Sequence, residues 1–596
     1  MSRLAGRGAA TFAGAGAAFA VGVFLALAIR PRLLIDPDPQ WALARLLLAL
    51  LVCAAAGGAG VVASAAVLFA SRTRAIQDPI PRLPFSDGAL AALAAAALLL
   101  GALARFTALD RLPEPLWVDD LSLVGTTLSL HGNLHDFADP VRPVPFGLPR
   151  AYGSVGVLYL ELYRAALLLF GPTVFGVRFL SAAAGVLSIG TAMLLGRALL
   201  PGGGGALAGL VVAGLRWHLI LSRWGWNSIV LVPLLDIAVL FVLAGRRRRS
   251  LAAVAAGGLV VGVGAHVYLA AWVALAALTA FLLWPGSAGS RRWRLFAAGA
   301  FVATFLFVAS PLFWPGRGGT PYFRRAGQRN VLLEMRRQRS AMPPLESAAD
   351  AMAAPWFLGD PSPWNDLPRR SRLGWILGIP AAMALARALS RPREELSGLL
   401  LAHAGAAFAA TLAWGAEMQP NGYRVAYLTT VTGVAVAAGA LSLVSLVAGR
   451  ERRTAGIAIV GLFLVSGALA ARDLFLRWGP MLEASEGYQG RDNLVARTVL
   501  RWQPYGRVIV DPSVRRVLAN GSDVCLETLV RYRLGAAGAS PAGPAGGAGE
   551  KSRRRCRVVP AAAEPGRGER AVERARDGQG REWAVVLCEN RRVRSP

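Results

Sequence analysis

Two adjacent carboxylates stand in the segment Leu112-Pro-Glu-Pro-Leu-Trp-Val-Asp-Asp-Leu-Ser-Leu, where Asp119 and Asp120 follow Trp117. A carboxylate there can serve as general base toward an incoming nucleophile, or bind a metal. The same pair also reads as a helix N-cap, since an Asp before Leu-Ser-Leu would satisfy the free amides of a new turn. His131 and His135, with Asp136 and Asp139 close by, have the spacing of a metal pair if helical. Gly132 and Asn133 between them argue for a turn instead. His218, His266 and His403 lie in or beside apolar runs and read as core residues. Tyr268 and Trp272 read as packing or an interfacial belt. Gly202 to Gly205 are not followed by Gly-Lys-Ser/Thr, so they form no phosphate-binding P-loop. Among the four cysteines, the spacing of Cys53, Cys525, Cys556 and Cys588 fits neither a zinc motif nor a Cys-x-x-Cys pair. One disulfide among the last three suits an extracytoplasmic C-terminal region. No cofactor and no metal site is assigned, and a divalent metal has no support.

The elements that must position these residues follow from composition. Of 596 residues, 55% are hydrophobic and 17% charged, against about 25% charged in an ordinary soluble protein. Mean hydropathy is +0.47. One soluble core cannot hide that surplus, because cores stop growing at about 250–300 residues. The excess must face lipid, which excludes a soluble enzyme, a disordered chain and a disulfide-stapled secreted domain. The net charge of +29 rests on arginine, since Lys551 is the one lysine. No nucleic-acid-binding motif accompanies it, and the arginines read as flanks of membrane helices.

A spanning helix needs about 20 apolar residues. Candidate spans are 11–29, 41–70, 88–104, 151–170, 176–199, 206–222, 226–245, 251–265, 266–284, 295–314, 373–389, 396–415, 425–447 and 454–471. They lack the alternation of a transmembrane barrel. The N-terminus reads as a retained signal-anchor helix. Arg3, Arg7, Arg246 to Arg249, Arg291, Arg292, Arg294, Arg450, Arg452 and Arg453 mark the inside. Segments 105–150, 315–372, 416–424 and the region after 471 then fall outside. One conflict results: four apolar runs separate 105–150 from Arg246, where an odd number of crossings is required. The polar-interrupted stretch from Pro201 to Trp226 is the candidate for a re-entrant or split segment.

The C-terminal region differs in composition. Segments 507–511 and 583–588 read as buried strands, 522–533 as helix, and the Gly/Ala/Pro-rich stretch 536–550 as a flexible linker. Arg553, Arg554, Arg555 and Arg557 crowd one strand edge, as a solvated face or as a contact to an anionic lipid or acceptor. The expected fold is an all-α polytopic membrane bundle of about 13–14 spans with a small C-terminal α/β extracytoplasmic domain. Its parts are 1–87 (two N-terminal helices), 88–471 (the transmembrane core) and 472–596.

The order of motifs adds to this. After the acid pair come Gly125, Gly132-Asn133, Pro143 and Pro145, a tyrosine-containing helix ending in Phe170-Gly171, then Val177-Arg-Phe-Leu-Ser-Ala182. Next are Arg216-Trp-His-Leu-Ile-Leu-Ser-Arg-Trp-Gly-Trp-Asn227 and Gly264-Ala-His-Val-Tyr268. Asn421-Gly-Tyr-Arg424 precedes a late span, and Asp473-Leu-Phe-Leu-Arg-Trp478 leads to Gly487-Tyr488. This succession, over roughly 88–510, resembles the GT-C superfamily of membrane glycosyltransferases. It is similar in particular to bacterial protein mannosyltransferase-like and aminoarabinose transferase-like members (glycosyltransferase family 39-like). Where that family usually has Asp-Glu, this chain has Asp119-Asp120. It also carries two spans before the family's usual first.

The resemblance implies a multi-pass enzyme of the inner (plasma) membrane. It would transfer a hexose or pentose, with inversion, from a polyprenyl-phosphate donor to an extracytoplasmic protein, glycan or lipid. Asp119 would be the catalytic base, with Asp120 beside it. Arg150, Arg424 and Arg223 would be the phosphate-binding arginines, since a planar guanidinium can hold phosphate oxygens bidentately. Two other readings compete. A lipid-linked sugar flippase would want charges inside spans and paired broken helices, and no clear internal repeat is present. A non-enzymatic membrane scaffold would leave the acid pair without a role.

Overall fold

The computed structural model describes residues 80–113, 116, 120, 123–124, 127, 157–171, 173–286, 289–313, 331–338, 351, 353–357, 359–360, 362–363, 365–414, 422–445, 447, 450–481, 498–499, 506–511, 554–565, 569–576 and 582–589. Candidate spans 11–29 and 41–70, the helix 522–533 and the linker 536–550 lie outside the described residues. The chain falls into two compact units. One comprises Met1–Ala108, Pro140–Tyr163 and Arg178–Trp478; the other comprises Leu109–Asp139, Arg164–Val177 and Gly479–Pro596.

The first unit is a helical bundle. Its described elements run α1 (Asp87–Phe106), α2 (Val157–Phe170), α3 (Val174–Leu199), α4 (Gly204–Gly214), α5 (Arg216–Leu221), α6 (Leu231–Arg248) and α7 (Leu251–Ala265). They continue with α8 (Ala271–Leu283), α9 (Arg291–Ala309), α10 (Val331–Gln338), α11 (Gly374–Ser390), α12 (Glu395–Trp414), α13 (Leu428–Ser445) and α14 (Glu451–Arg472). Helices α2 and α3 each pass a few residues into the second unit. Asp87–Phe106, Val174–Leu199, Arg291–Ala309, Glu395–Ala413, Leu428–Ser445 and Glu451–Trp478 are long and apolar enough to cross a membrane; α4, α7, α8 and α11 are shorter apolar helices. The chain is a multi-pass membrane protein. Burial sorts the helices. The apolar window of α3 is 83% buried, whereas that of α14 is 17% buried. Helix α14 turns Ile457, Leu462, Leu464 and Val465 outward, where an apolar surface suits lipid and not water.

Buried polar side chains tie helices of the bundle together. Asp236 on α6 accepts hydrogen bonds from Thr191 on α3 at 2.5 Å and Thr430 on α13 at 2.6 Å, so one buried acid joins three helices. Helices α4 and α14 touch backbone to backbone. A Cβ on Gly214 would lie 2.7 Å from Gly467 Cα, so glycine is required for that approach.

The contacts also give directions. The Arg247 guanidinium donates to Ala198 O at 2.8 Å, so α3 and α6 finish at the same end. From there α4 returns, and Arg105 in the last turn of α1 donates to Val212 O and Ala213 O at the end of α4. The chain breaks at Leu215, whose backbone is extended (φ −74, ψ 109), and resumes as the short α5. The stretch 201–226 is therefore split, yet it still carries the chain across. Helix α2 is the segment that does not cross. Tyr159, near its start, donates to Gly225 O at 3.0 Å, and Ser181 on α3 donates to the next carbonyl, Trp226 O. The start of α3 therefore lies at the same end as Tyr159. This corrects the expectation that 151–170 spans the membrane, and three crossings (α3, α4 and α6) resolve the conflict. The physical reason is that the run is interrupted by Glu161 and Arg164 and yields a helix of only 14 residues.

The second unit contains a four-stranded sheet of order β1-β2-β4-β3: β1 (Gly506–Val510), β2 (Arg554–Pro560), β3 (Glu569–Arg576) and β4 (Glu582–Glu589). Strand β1 pairs parallel to β2, and the other pairs are antiparallel. Val559, Val585 and Leu587 form its small core with Ala563. Strands 507–511 and 583–588 were legible from apolar residues. The charged β3 (Glu-Arg-Ala-Val-Glu-Arg-Ala-Arg) was not. Strand β2 is interior, so its arginines do not lie on an edge strand. Arg557 instead forks onto Glu569 with two bonds of 2.8 Å, which raises its pKa further. Cys588 is disulfide-bonded.

Candidate functional site

Four segments far apart in sequence meet at the end of the bundle opposite Arg246–Arg249: 215–226, 359–373, 422–427 and 473–478. Each lies at a helix terminus, where the backbone leaves its regular bonding and side chains must complete it. Arg216 opens α5 and pairs with Asp366 at 2.6 Å, both groups buried, while its other arm donates to Ser371 O at 2.7 Å. Trp217 donates from Nε1 to Gly422 O at 3.0 Å. A Cβ at Gly422 would lie 2.9 Å from that indole nitrogen, which is why the close approach takes glycine. Asp360 accepts from Gly422 N at 3.3 Å, Asn365 Nδ2 at 3.0 Å and Ser362 N at 2.9 Å. The loop 359–373 thus holds the late turn against α5.

The electrostatics follow from burial among these arginines. Burial pushes the Asp366 carboxyl up to about 6, against the pull of Arg216. Asp360 is also raised by burial, opposed by hydrogen bonds from Ser362, Asn365 and Gly422. Arg372 is lowered by burial, opposed by Asp360 and Asp366. Its guanidinium lies 4.9 Å from the Trp217 ring, and its Nε has no hydrogen-bond partner among the described residues. Asp473 is buried and meets Arg370 at 2.9 Å and Arg472 at 3.1 Å. Trp478 donates to Pro363 O at 2.9 Å, closing the ring of contacts.

The predicted site residues fall into distinct places. Arg424 is half-buried in the short turn Tyr423–Val425, its guanidinium 5.8 Å from the Tyr423 ring. Tyr423 in turn lies 6.0 Å from the Trp224 ring. The Arg424 cation thus has one aromatic neighbour, which meets a second ring. Arg223 is fully buried. It donates to Ala104 O, Arg105 O and Ala108 O at 2.9, 3.0 and 2.9 Å and sits 5.2 Å from the Phe475 ring. Those are the carbonyls that the end of α1 leaves unpaired, so Arg223 closes that helix. Asp120 belongs to the second unit and is fully buried. Asp119 and Arg150 lie outside the described residues, as do His131, His135 and Asn421.

Several members of the cluster were not singled out from sequence: Asp360, Asp366, Arg370, Arg372 and the pairing role of Arg216. Arg216 and Asp473 stand in motifs that were noted. Asp360 and Asp366 stand in a Pro-rich turn, Gly359-Asp-Pro-Ser-Pro-Trp-Asn-Asp366, whose acids sit six residues apart. That turn was a legible signal in the sequence. Among the described residues no three His, Cys, Asp or Glu side chains gather as a metal-binding group.

No family model and no curated protein matches the chain. Among solved structures it is similar to ArnT from Cupriavidus metallidurans bound to undecaprenyl phosphate, at 13% identity and TM-score 0.44, covering 86% of this chain and 100% of that one. The apo form of the same protein gives 14% and 0.47, covering 84% and 98%. The Archaeoglobus fulgidus oligosaccharyltransferase in complex with Zn and sulfate gives 14% and 0.48, covering 74% and 61%.

Proposed function

We propose that this chain is a GT-C-type membrane glycosyltransferase. In this reading it transfers a hexose or pentose, with inversion, from a polyprenyl-phosphate donor to an acceptor hydroxyl on a protein, glycan or lipid outside the inner membrane. The observation that carries the reading is the meeting of 215–226, 359–373, 422–427 and 473–478 at the end of the bundle opposite the inside-marking Arg246–Arg249. Three of these four segments are ones that the family-like motif order singles out. They form an arginine- and tryptophan-rich platform, and that chemistry suits a departing phosphate and a sugar ring.

The step needs one base near the acceptor and cations near the leaving group. Asp119 takes the acceptor proton as the acceptor oxygen bonds to the anomeric carbon and the lipid phosphate leaves. A positioned base contributes on the order of 10²–10⁴-fold. Asp120, the next residue in the chain and fully buried, is the second acid of the proposed catalytic pair. Arg424 and Arg150 stabilise the charge gathering on the phosphate. Arg372, with its free Nε over Trp217, joins them. Arg223, committed to three carbonyls, positions α1 and is assigned no phosphate. The reaction is written without a cofactor.

The test is Asp119→Asn in a strain deleted for the chromosomal copy. Envelope glycoconjugates are compared by mass spectrometry with those of the complemented parent. The variant is expected in the membrane at parental level, with the sugar missing. Full glycosylation by Asp119→Asn would remove this assignment.

A further inference from the structure

Arg246 is the buried charge that this function leaves unexplained. It sits in the last turn of α6, 2% exposed, and neither its Nε nor its Nη1 has a hydrogen-bond partner among the described residues. A buried guanidinium with unused donors is costly, because each donor loses water and gains nothing. What it does have is a flat apolar backing, the Phe281 ring of α8 at 3.8 Å from the guanidinium carbon. Arg247, Arg294 and Glu395 are its charged neighbours. Glu395 is held by Arg247 through bonds of 2.8 and 2.5 Å, so one acid faces three arginines.

The surrounding backbone has the same sign. Helix α9 begins at Arg291 and carries Arg291, Arg292 and Arg294 in its opening residues. Cations there oppose the positive end of the helix dipole. Such a placement is unfavourable unless an anion shares the site. Arg294 reaches back to Trp284 O at 3.4 Å, which sets it at the end of α8 beside Phe281. The ends of α6 and α8 and the starts of α9 and α12 thus enclose three arginines and one committed glutamate. An isolated interfacial arginine extends its head toward water; Arg246 is instead closed in with open donors.

We propose that Arg246, with Arg247 and Arg294, forms a phosphate-binding site at the end of the bundle marked by Arg246–Arg249, and that it takes the phosphate of an anionic lipid headgroup or a free phosphate. Two Arg246 donors and one from Arg294 would hold the phosphate oxygens, with Phe281 fixing the guanidinium plane. The site lies at the opposite end of the bundle from Arg424, so it is separate from the proposed donor site and does not rest on that reading.

The full-length protein, purified in a zwitterionic detergent, is titrated separately with dioleoylphosphatidylglycerol, dioleoylphosphatidylcholine and inorganic phosphate. Native mass spectrometry reads the bound adduct and thermal unfolding reads its effect. Phosphatidylglycerol is expected to bind at one saturable site where phosphatidylcholine does not. Arg246→Met should weaken that binding about ten- to a hundredfold, the size of a lost charge-assisted contact. Arg294→Gln should weaken it less, in a variant whose half-buried side chain puts folding at little risk. Arg291→Gln, an exposed neighbour, should leave it unchanged. Saturable binding of inorganic phosphate with the same Arg246 dependence would support the site and name free phosphate as its ligand. Absence of binding by both probes overturns the proposal. So does equal binding by Arg246→Met and the parent, equal weakening by Arg291→Gln, or, if Arg246→Met does not fold, no weakening by Arg294→Gln.

Discussion

At the scale of single residues, the Arg216–Asp366 pair shows what the platform rests on. Both groups are buried, and breaking such a pair by removing one partner typically costs about 3–5 kcal/mol, because the other charge is left stranded. The titration of Asp366 gives a sharper test than its loss. Its folded pKa is raised from 3.8 to about 6, chiefly by burial. A raised acid contributes stability that is complete below pH 3.8 and is lost as pH rises through about 6. The shift corresponds to a loss on the order of 3 kcal/mol. Asp366→Asn cannot titrate. The stability difference between variant and parent should therefore move in the variant's favour as pH rises from about 4 to 6, and flatten above that. Thermal unfolding of both proteins across that range checks it, and a difference that does not change with pH would refute the assigned shift. Neither acid of the loop was legible as a partner from sequence. The residues they hold, Arg216 and Gly422, lie far along the chain, and local patterns carry no information about such pairings. Arg424 stood out in the sequence because it closely precedes an apolar run.

At the scale of elements, two arginines do the work of caps. Arg105 satisfies Val212 O and Ala213 O where α4 breaks, and it meets His218 Nδ1 at 2.6 Å. Arg223 does the same for the end of α1. Arg223 is thereby a structural arginine, against which the proposed phosphate role of Arg424 can be tested. Arg223→Leu should lower stability by about 1.5–3 kcal/mol, since hydrogen bonds from a charged donor are lost and carbonyls are left open. Arg424→Gln should leave the unfolding temperature nearly unchanged while transfer falls by about two orders of magnitude, as expected for a lost electrostatic stabiliser. Unfolding temperature and transfer rate measured together on purified variants separate the two. The assignment fails if Arg223→Leu is as stable as the parent. Helices themselves were well read from apolar runs. The run 251–265 coincides with Leu251–Ala265, and 373–389 differs from Gly374–Ser390 by one residue at each end. The misses have physical causes. Strand β3 is a charged strand at the sheet edge, so it carries no apolar alternation. Hydropathy registers the composition of α2 but not the direction in which it runs. Two of the buried charges inside spans, Arg105 and Asp236, are bonded to carbonyls and threonines, so they serve packing and do not favour a transport pathway.

At the scale of the whole molecule, function depends on which end of the bundle faces which side, and that turns on a single segment. If 151–170 crossed and 201–226 merely dipped, Gly202 would lie on the same side as Thr107 and Arg369. In the structure Leu83 N donates to Gly202 O at 3.0 Å, and α3 ends nearby with Ala198 O bonded to Arg247. Gly202 therefore shares the end of Arg246–Arg249, whose cluster of positive charge is expected to face the cytoplasm. Thr107 follows α1 at the other end, where Arg223 closes that helix. Single cysteines at Gly202, Pro285, Thr107 and Arg369, in a background where the native cysteines are replaced, convert this into a measurement. A membrane-impermeant maleimide applied to intact cells should label Thr107→Cys and Arg369→Cys. Gly202→Cys and Pro285→Cys should react only after the membrane is opened. Labelling of Gly202→Cys from outside would restore the re-entrant reading of 201–226. It would also separate Arg216 and Trp217 from the crossing that brings them up to Gly422, and with them the platform on which the transferase reading depends.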